Sequence, residues 1–398
     1  MKTSHVLRIL NLSVFLKNHI FLLPVLYLFY TAQGLTLGDF FLLQGIATLC
    51  CLLFDIPMGW LADRFSKKKI LIFSGILLAF RFLLLYLYPT KTIIFICEIL
   101  YALVIVSYVG TADSYIYELL KKDHKSQKML KRYGRLYFYA SCGVSFSSFV
   151  GGYLFDWFGV QVVIGITFIY TLVSAILLFF IPDIQSDSKD LMSLSKAYQN
   201  LYSSVKSSLK SVEMRYLVIY SAFLTASYQI FMWSMQPMME QAKVSVGLFG
   251  VVFAMNHIAR ATGSYWAHKI MHYISLNRLG FITYFGFILS WISSIGIAYL
   301  PNPIVCLILL GFICLMIGLS VVYLISAIAR IHDISLSDTR ALAASVNSMA
   351  GRFLTAGCLI LSKFILDETS MQFNFCVFMI LFLPSVIILR RFSQIQTK

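Results

Sequence analysis

The chain has 398 residues, of which 59% are hydrophobic and only 12% charged, and its mean hydropathy is +0.82. One aqueous globule cannot hide that much apolar surface, so the composition excludes an ordinary soluble domain and makes the bilayer the solvent. The net charge of +15 does not point to nucleic acid, because its cations gather in alternate loops rather than on one face.

A membrane-spanning helix takes roughly 20 predominantly apolar residues. Twelve such stretches are predicted, near residues 10–32, 39–62, 70–88, 92–119, 134–156, 159–181, 215–239, 246–270, 277–299, 303–329, 339–365 and 371–391. Short segments of alternating polarity, the signature of a membrane barrel, do not occur. The fold class is therefore all-α membrane protein, and the first stretch, too long for a signal-peptide core, is expected to remain as a span.

The loops carry the orientation signal. Arg64 to Lys69, Lys121 to Arg135, Lys189 to Arg215, Lys269 with Arg278, and Arg390 with Arg391 hold most of the basic residues, whereas the opposite loops hold little more than Lys91, Lys243 and Lys363. The positive-inside rule then puts both termini and the central linker in the cytoplasm, with the chain crossing the cytoplasmic (inner) membrane many times. The eight cysteines, Cys50, Cys51, Cys97, Cys142, Cys306, Cys314, Cys358 and Cys376, all fall in predicted spans without metal-ligand spacing. They read as small apolar fillers, and no metal or cofactor is expected.

Residues 183–213 form the longest polar stretch and divide the spans six and six, giving a bundle over 1–182, a linker over 183–213 and a bundle over 214–398. Within the linker Leu194, Tyr198, Leu201, Val205, Leu209 and Val212 follow helical spacing, with Lys196, Lys206 and Lys210 on other faces. Such a helix suits a surface of anionic headgroups; a solvated linker is the alternative. The halves also repeat. Arg135 and Gly152 bracket span five as Arg340 and Gly357 bracket span eleven, and Gly59 has a counterpart in Gly263. Two pseudo-symmetric six-helix bundles are expected, with a solute site at their interface.

The turn after span two reads Asp55-Ile-Pro-Met-Gly59-Trp-Leu-Ala-Asp63-Arg64-Phe-Ser-Lys67-Lys68-Lys69. Gly59, Leu61, Ala62, Asp63, Arg64, Phe65 and the three lysines match the loop signature of the major facilitator superfamily, with Ser66 where glycine is usual. The chain resembles that family over essentially its whole length. The acid-x-Pro-x-Gly run and the stretch Thr111-Ala-Asp113-Ser-Tyr-Ile-Tyr117-Glu118 resemble a bacterial branch of drug and metabolite exporters. The resemblance implies a twelve-span transporter that exposes its site to each side in turn. It implies that Asp63 meets the start of span eleven near Ser337-Asp338-Thr339, and that Arg64 pairs with Glu118 at the inner end of span four. Gly59, Asp63, Arg64 and Glu118 would then form a gating latch.

Ionisable groups at membrane depth cost about 2.5–3.5 kcal/mol each on insertion scales, so they normally face a partner or a cavity. Glu98 and Arg81 lie at similar depth and are expected to pair or, alternatively, Glu98 carries a proton. Asp113 is a second proton site or a partner for Lys17, and Asp55, also a proton-coupling candidate, faces span eleven or the aqueous path. In the second half Asn256, His257 and Arg260 occupy adjacent turns of span eight, and Arg352 lies in span eleven near Asn347. Deep acids are scarce there, so these cations point to an anionic or zwitterionic solute or to a bridge with Asp55 or Asp113. His257 beside Arg260 is a candidate proton or solute sensor. Because the resemblance puts spans one, four, seven and ten around the path, Tyr27, Tyr30, Tyr101, Tyr108, Tyr228, Trp233, Tyr323, Gln229 and Gln236 are the aromatic and amide candidates.

No HExxH, GxSxG or GxxxxGK[ST] run occurs in the sequence, so neither an enzyme nor an ATP-driven pump is indicated. The expected activity is secondary active transport of a small organic molecule, coupled to protons and directed outward. The solute is a drug or an acidic or zwitterionic metabolite such as a carboxylate-rich siderophore. Uptake of a small anion by symport, and a non-transporting receptor or scaffold of the same fold, stand as alternatives. The expected partners are the solute, protons and lipid, with the protein a monomer.

Overall fold

The computed structural model describes residues 3–122, 129–184, 193–208, 211–299, 302–335 and 340–396. Every regular element among them is helical. In chain order these are α1 (Thr3–Lys17), α2 (Leu26–Ala32), α3 (Leu37–Arg64), α4 (Lys67–Leu87), α5 (Lys91–Lys122), α6 (Met129–Phe179), α7 (Leu194–Ser208), α8 (Val212–Gln241), α9 (Val246–Tyr273), α10 (Leu276–Tyr299), α11 (Pro303–Ile334), α12 (Arg340–Glu368), α13 (Met371–Phe382) and α14 (Ser385–Gln396). Among the described residues, nine helical segments are long and apolar enough to cross a membrane by themselves. Twelve spans result because α6 contains two of them, while α9 and the interrupted pair α1–α2 supply the others.

The interruptions have local causes. Span one stops at Lys17 and resumes through a short 3₁₀ turn, Leu23–Val25, that contains Pro24. Proline lacks the amide that a continuing helix would need. Inside α6, Gly159 takes φ +76°, a left-handed conformation that glycine adopts at little cost, and turns span five into span six. Helix starts are fixed by side-chain caps. Asn302 accepts bonds from the amides of Ile304 and Val305 ahead of Pro303, and Ser66, Ser211 and Ser370 each accept one from the amide three residues on. At α3 the bonds are reciprocal, Asp39 N to Thr36 Oγ1 at 3.0 Å and Thr36 N to Asp39 Oδ2 at 2.9 Å, the capping-box arrangement.

The chain divides into two compact units. Unit 1 comprises Met1–Leu35, Cys50–Ala197 and Val246–Ala254. Its helix α1 is pinned to α6 by a serine pair: Ser13 Oγ lies 3.0 Å from Ser174 Oγ, and Ser174 Oγ donates to Ser13 O at 2.8 Å. Two small hydroxyls that satisfy each other let apolar helices approach closely without leaving a polar atom in hydrocarbon. The basic turn before α4 is anchored in the same unit, where Ser66 Oγ bonds Asp183 Oδ1 at 2.6 Å and Lys68 Nζ bonds Phe179 O at 2.8 Å.

Unit 2 comprises Thr36–Leu49, Tyr198–Ser245 and Met255–Lys398. Its core is aromatic. Trp291 of α10 packs on Phe231 of α8 with ring centroids 4.0 Å apart and on Phe375 of α13 at 5.6 Å, while Tyr220 Oη donates to Gly280 O at 2.8 Å. The duplication of the chain is visible in helix lengths: α3 and α9 each have 28 residues, and α5 and α11 each have 32. The starts Leu37 with Val246, and Lys91 with Pro303, are spaced more widely than the paired glycines and arginines in the sequence.

Within unit 1 the first turns of α9 lie against α6 at two glycines. A Cβ on Gly250 would stand 2.3 Å from Ser148 O, whereas a Cβ on Gly110 in α5 would meet nothing within 4 Å. Gly250→Ala should therefore lower the thermal midpoint of the purified protein, with a cost of about 1–3 kcal/mol from overpacking. Gly110→Ala should leave the midpoint unchanged or raise it slightly. Equal midpoints for the two variants would show that the close approach is not needed.

Candidate functional site

In unit 1 the structure joins three elements at one buried carboxylate. Arg81 of α4 donates from Nη2 to Glu98 Oε1 of α5 at 2.7 Å and from Nε to Cys97 O at 3.0 Å, and the Arg81 and Glu98 side chains are nearly inaccessible, at 4% and 2% exposure. Tyr30 of α2 donates its hydroxyl to the same Glu98 oxygen. The guanidinium carbon also lies 4.7 Å from the centre of the Tyr101 ring. The expected pairing of Arg81 with Glu98 is thus realised, and Tyr30, singled out from sequence as a solute contact, is one of its members. A charge pair with this many hydrogen bonds is compensated in low dielectric. It ties span one to spans three and four.

Further along the same helices, Lys17 Nζ stands 3.2 Å from the centroid of the Tyr108 ring. Asp113 is half-buried and forms no ion pair among the described residues, so the anticipated Lys17–Asp113 bridge is not made. Tyr27 is buried on α2. Asp55 is half-buried within α3.

Unit 2 holds the second polar set. Arg260 of α9 lies over the ring of Tyr228 on α8, 5.1 Å from its centroid, and makes no ion pair among the described residues. One turn before it Asn256 is fully buried, and both of its amide atoms lack a hydrogen-bond partner among the described residues; His257 Nε2 and Gln229 Oε1 are in the same condition. An unsatisfied buried polar atom costs about 1–3 kcal/mol; Asn256 and His257 lie about one turn before Arg260 on α9, and Gln229 follows Tyr228 on α8. The opposite face of α9 carries Met255, Ile258, Tyr265 and Trp266, all exposed and apolar or aromatic, as suits contact with lipid. Arg352 and Asn347 are on α12, half-buried and buried respectively. Trp233 packs edge-on against Phe40 at 5.8 Å. Tyr323 is buried, at 1% exposure, and lies edge-on to Tyr220 at 5.0 Å, as part of the aromatic core.

The residues of the expected latch are distributed as follows. Glu118 accepts from Lys67 Nζ, so the pair inferred between Glu118 and Arg64 is replaced by one with the first lysine of α4. Lys67 begins that helix beside α5 and is only 6% exposed, whereas Arg64 is exposed and covers the Trp60 ring at 4.2 Å. A Cβ on Gly59 would meet nothing within 4 Å. The Asp63 side chain and residues 337–339 lie outside the described residues.

The Major Facilitator Superfamily profile matches residues 9–351. The chain belongs to that superfamily. It is accordingly a multi-pass membrane transporter and not an enzyme. Solved structures agree in fold. The nucleoside transporter NupG superposes with a TM-score of 0.78 at 14% identity, over 100% of this chain and 100% of that one. The POT family transporter PepTSo does so with 0.75 at 13% identity, over 99% and 98%. A bacterial homolog of the human lysosomal transporter Spinster, in an inward-facing and occupied conformation, gives 0.72 at 13% identity, over 98% and 97%. No curated protein matches the chain significantly.

Two features of this transporter were not reached from sequence. Lys363 Nζ binds Asp39 Oδ1 and Asp367 Oδ2, each at 2.7 Å, closing the start of α3 onto α12 within unit 2. The Thr36-x-x-Asp39 spacing carries a helix-start signal that the sequence reading did not use, and nothing in it marks the long-range ion pair of Asp39. Lys67 was likewise read only as part of a basic loop.

The Arg81–Glu98 pair gives a direct test. Arg81→Met leaves a carboxylate without its countercharge and should destabilise the transporter by about 3–5 kcal/mol, while Arg81→Met with Glu98→Met should recover most of the loss. Thermal unfolding of the four proteins in one detergent measures this cycle; additive losses would show that the two side chains act independently.

Proposed function

We propose that this transporter moves a small organic anion or zwitterion across the cytoplasmic membrane by secondary active transport, exporting it in exchange for protons. The observation that carries the reading is Arg260: a half-buried cation at membrane depth with no ion pair among the described residues, lying over Tyr228 and about one turn after Asn256 and His257, whose buried polar atoms, like Gln229 Oε1, have no hydrogen-bond partner among the described residues. A guanidinium of this kind is complementary to a carboxylate, and the amide and imidazole groups offer further bonds that orient a polar solute. The Tyr228 face supplies apolar surface for its carbon skeleton.

Proton coupling is assigned to groups other than Glu98. Both Arg81 and Tyr30 already satisfy that carboxylate, and a carrier has to lose and regain its proton within the cycle. Asp113, which makes no ion pair among the described residues, and His257 are the better carriers, and His257 lies within a turn of Arg260, so protonation and solute occupancy there affect each other directly. The basic loops support cytoplasmic termini, and the amphipathic α7 supports a surface contact with anionic headgroups. The protein is taken to work as a monomer with no cofactor.

The test is binding followed by transport. A thermal-shift screen of the purified protein against acidic, zwitterionic and cationic metabolites should find its stabilising compounds in the first two groups. Arg260→Gln should weaken them about tenfold or more, the worth of one charge-assisted contact. In proteoliposomes the same compound should move faster under an imposed pH gradient. A compound that binds parent and Arg260→Gln equally would remove Arg260 from the site.

A further inference from the structure

Span one is interrupted at Lys17: α1 ends there, the residues from Asn18 to Leu22 leave the α-helix, and Asn18 Nδ2 turns back to Val14 O at 2.8 Å. Within a membrane, non-helical backbone is tolerated only where protein buries it or where it lines an aqueous cavity. Lys17 reaches the ring of Tyr108, which stands close to the midpoint of α5. This contact sets the ammonium deep in the span rather than near its inner end. No ion pair compensates it among the described residues, and the buried Tyr108 hydroxyl has no hydrogen-bond partner. One ammonium and one hydroxyl are thus presented together beside an aromatic face that packs among Val14, Ala112 and Tyr115, with the Asp113 carboxylate within electrostatic reach of Tyr108.

We propose that Lys17 and Tyr108 form a carboxylate-binding subsite of the transporter, Lys17 supplying the countercharge, the Tyr108 hydroxyl donating a second bond, and the ring covering the apolar body of the solute. A single ammonium with one hydroxyl matches the one charge and two oxygens of a carboxylate, whereas a phosphate dianion would leave charge uncompensated in a poorly solvated place. The inference deepens the proposed function and rests on its reading that the solute is an organic anion. It adds two recognition residues in unit 1 and a preference for a flat, apolar carboxylic acid.

The probe is benzoate, with benzamide as its neutral isostere, and the readout is the thermal midpoint of the full-length purified protein titrated with each. Benzoate should stabilise the parent and Lys17→Arg but not Lys17→Met, whose affinity should fall about ten- to hundredfold. Tyr108→Phe removes one oxygen and keeps the ring, so it should fold normally and weaken benzoate several-fold; it decides the matter if Lys17→Met fails to fold. Benzamide should stabilise none of them. If benzoate binding survives Lys17→Met and Tyr108→Phe but is lost in Arg260→Gln, the subsite is overturned while the proposed function stands. If benzoate and benzamide act alike on the parent, the anionic reading itself fails, and the subsite with it.

Discussion

Hydrocarbon cannot hydrogen-bond, so each polar atom placed at membrane depth must find its partner inside the protein, in trapped water or in a solute. This constraint sorts the buried polar residues of the chain into two groups. Ser13 with Ser174, Tyr220 with Gly280 and Arg81 with Glu98 and Tyr30 find their partners in the protein, and they hold helices together. Asn256, His257, Gln229 and the Tyr108 hydroxyl have buried atoms without a hydrogen-bond partner among the described residues, and Arg260 and Lys17 make no ion pair among them. The second group repeats one device in both units, a cation lying on a tyrosine ring with no carboxylate among the described residues to neutralise it. The ring softens the desolvation of the cation without consuming its charge, and it is this charge that the proposed function assigns to an anionic solute.

Much of the architecture was legible because hydropathy, loop charge and the Gly59 to Lys69 signature depend on composition and short spacing. The helices begin and end near the expected places, and the equal lengths of α3 and α9 reflect the duplication noticed in sequence. The break after Lys17 was less visible. Lys17, Asn18 and His19 sit in an apolar run long enough to be one helix, and only Pro24 marks a change of course. The short tail of the chain is similar: Pro384 separates α13 from α14 where a single span was expected.

The site residues were legible by type and not by partner. Depth along two adjacent spans was enough to bring Arg81 to Glu98, because antiparallel neighbours joined by a short loop keep equal depths. It could not show that Tyr30 would complete the group, since that contact depends on how α2 is rotated after the break. Glu118 illustrates the opposite case. Arg64 and Lys67 are both cations of one turn, and which of them reaches Glu118 depends on Lys67 starting α4 on the face toward α5, a packing detail that no spacing rule encodes. Tyr323 was chosen for the span it occupies, yet the face it occupies buries it against Tyr220.

The proposed function requires the polar face of α9, with Asn256, His257 and Arg260, to border an aqueous chamber while its apolar face borders lipid. Single cysteines at position 260 and at position 258, in a background with the eight native cysteines replaced, can be exposed to a charged, membrane-impermeant thiol reagent added from both sides of proteoliposomes. Rapid labelling of Arg260→Cys, slowed by a bound solute, and little labelling of Ile258→Cys are expected. Unreactive cysteine at 260, or equal reactivity at the two positions, would contradict it.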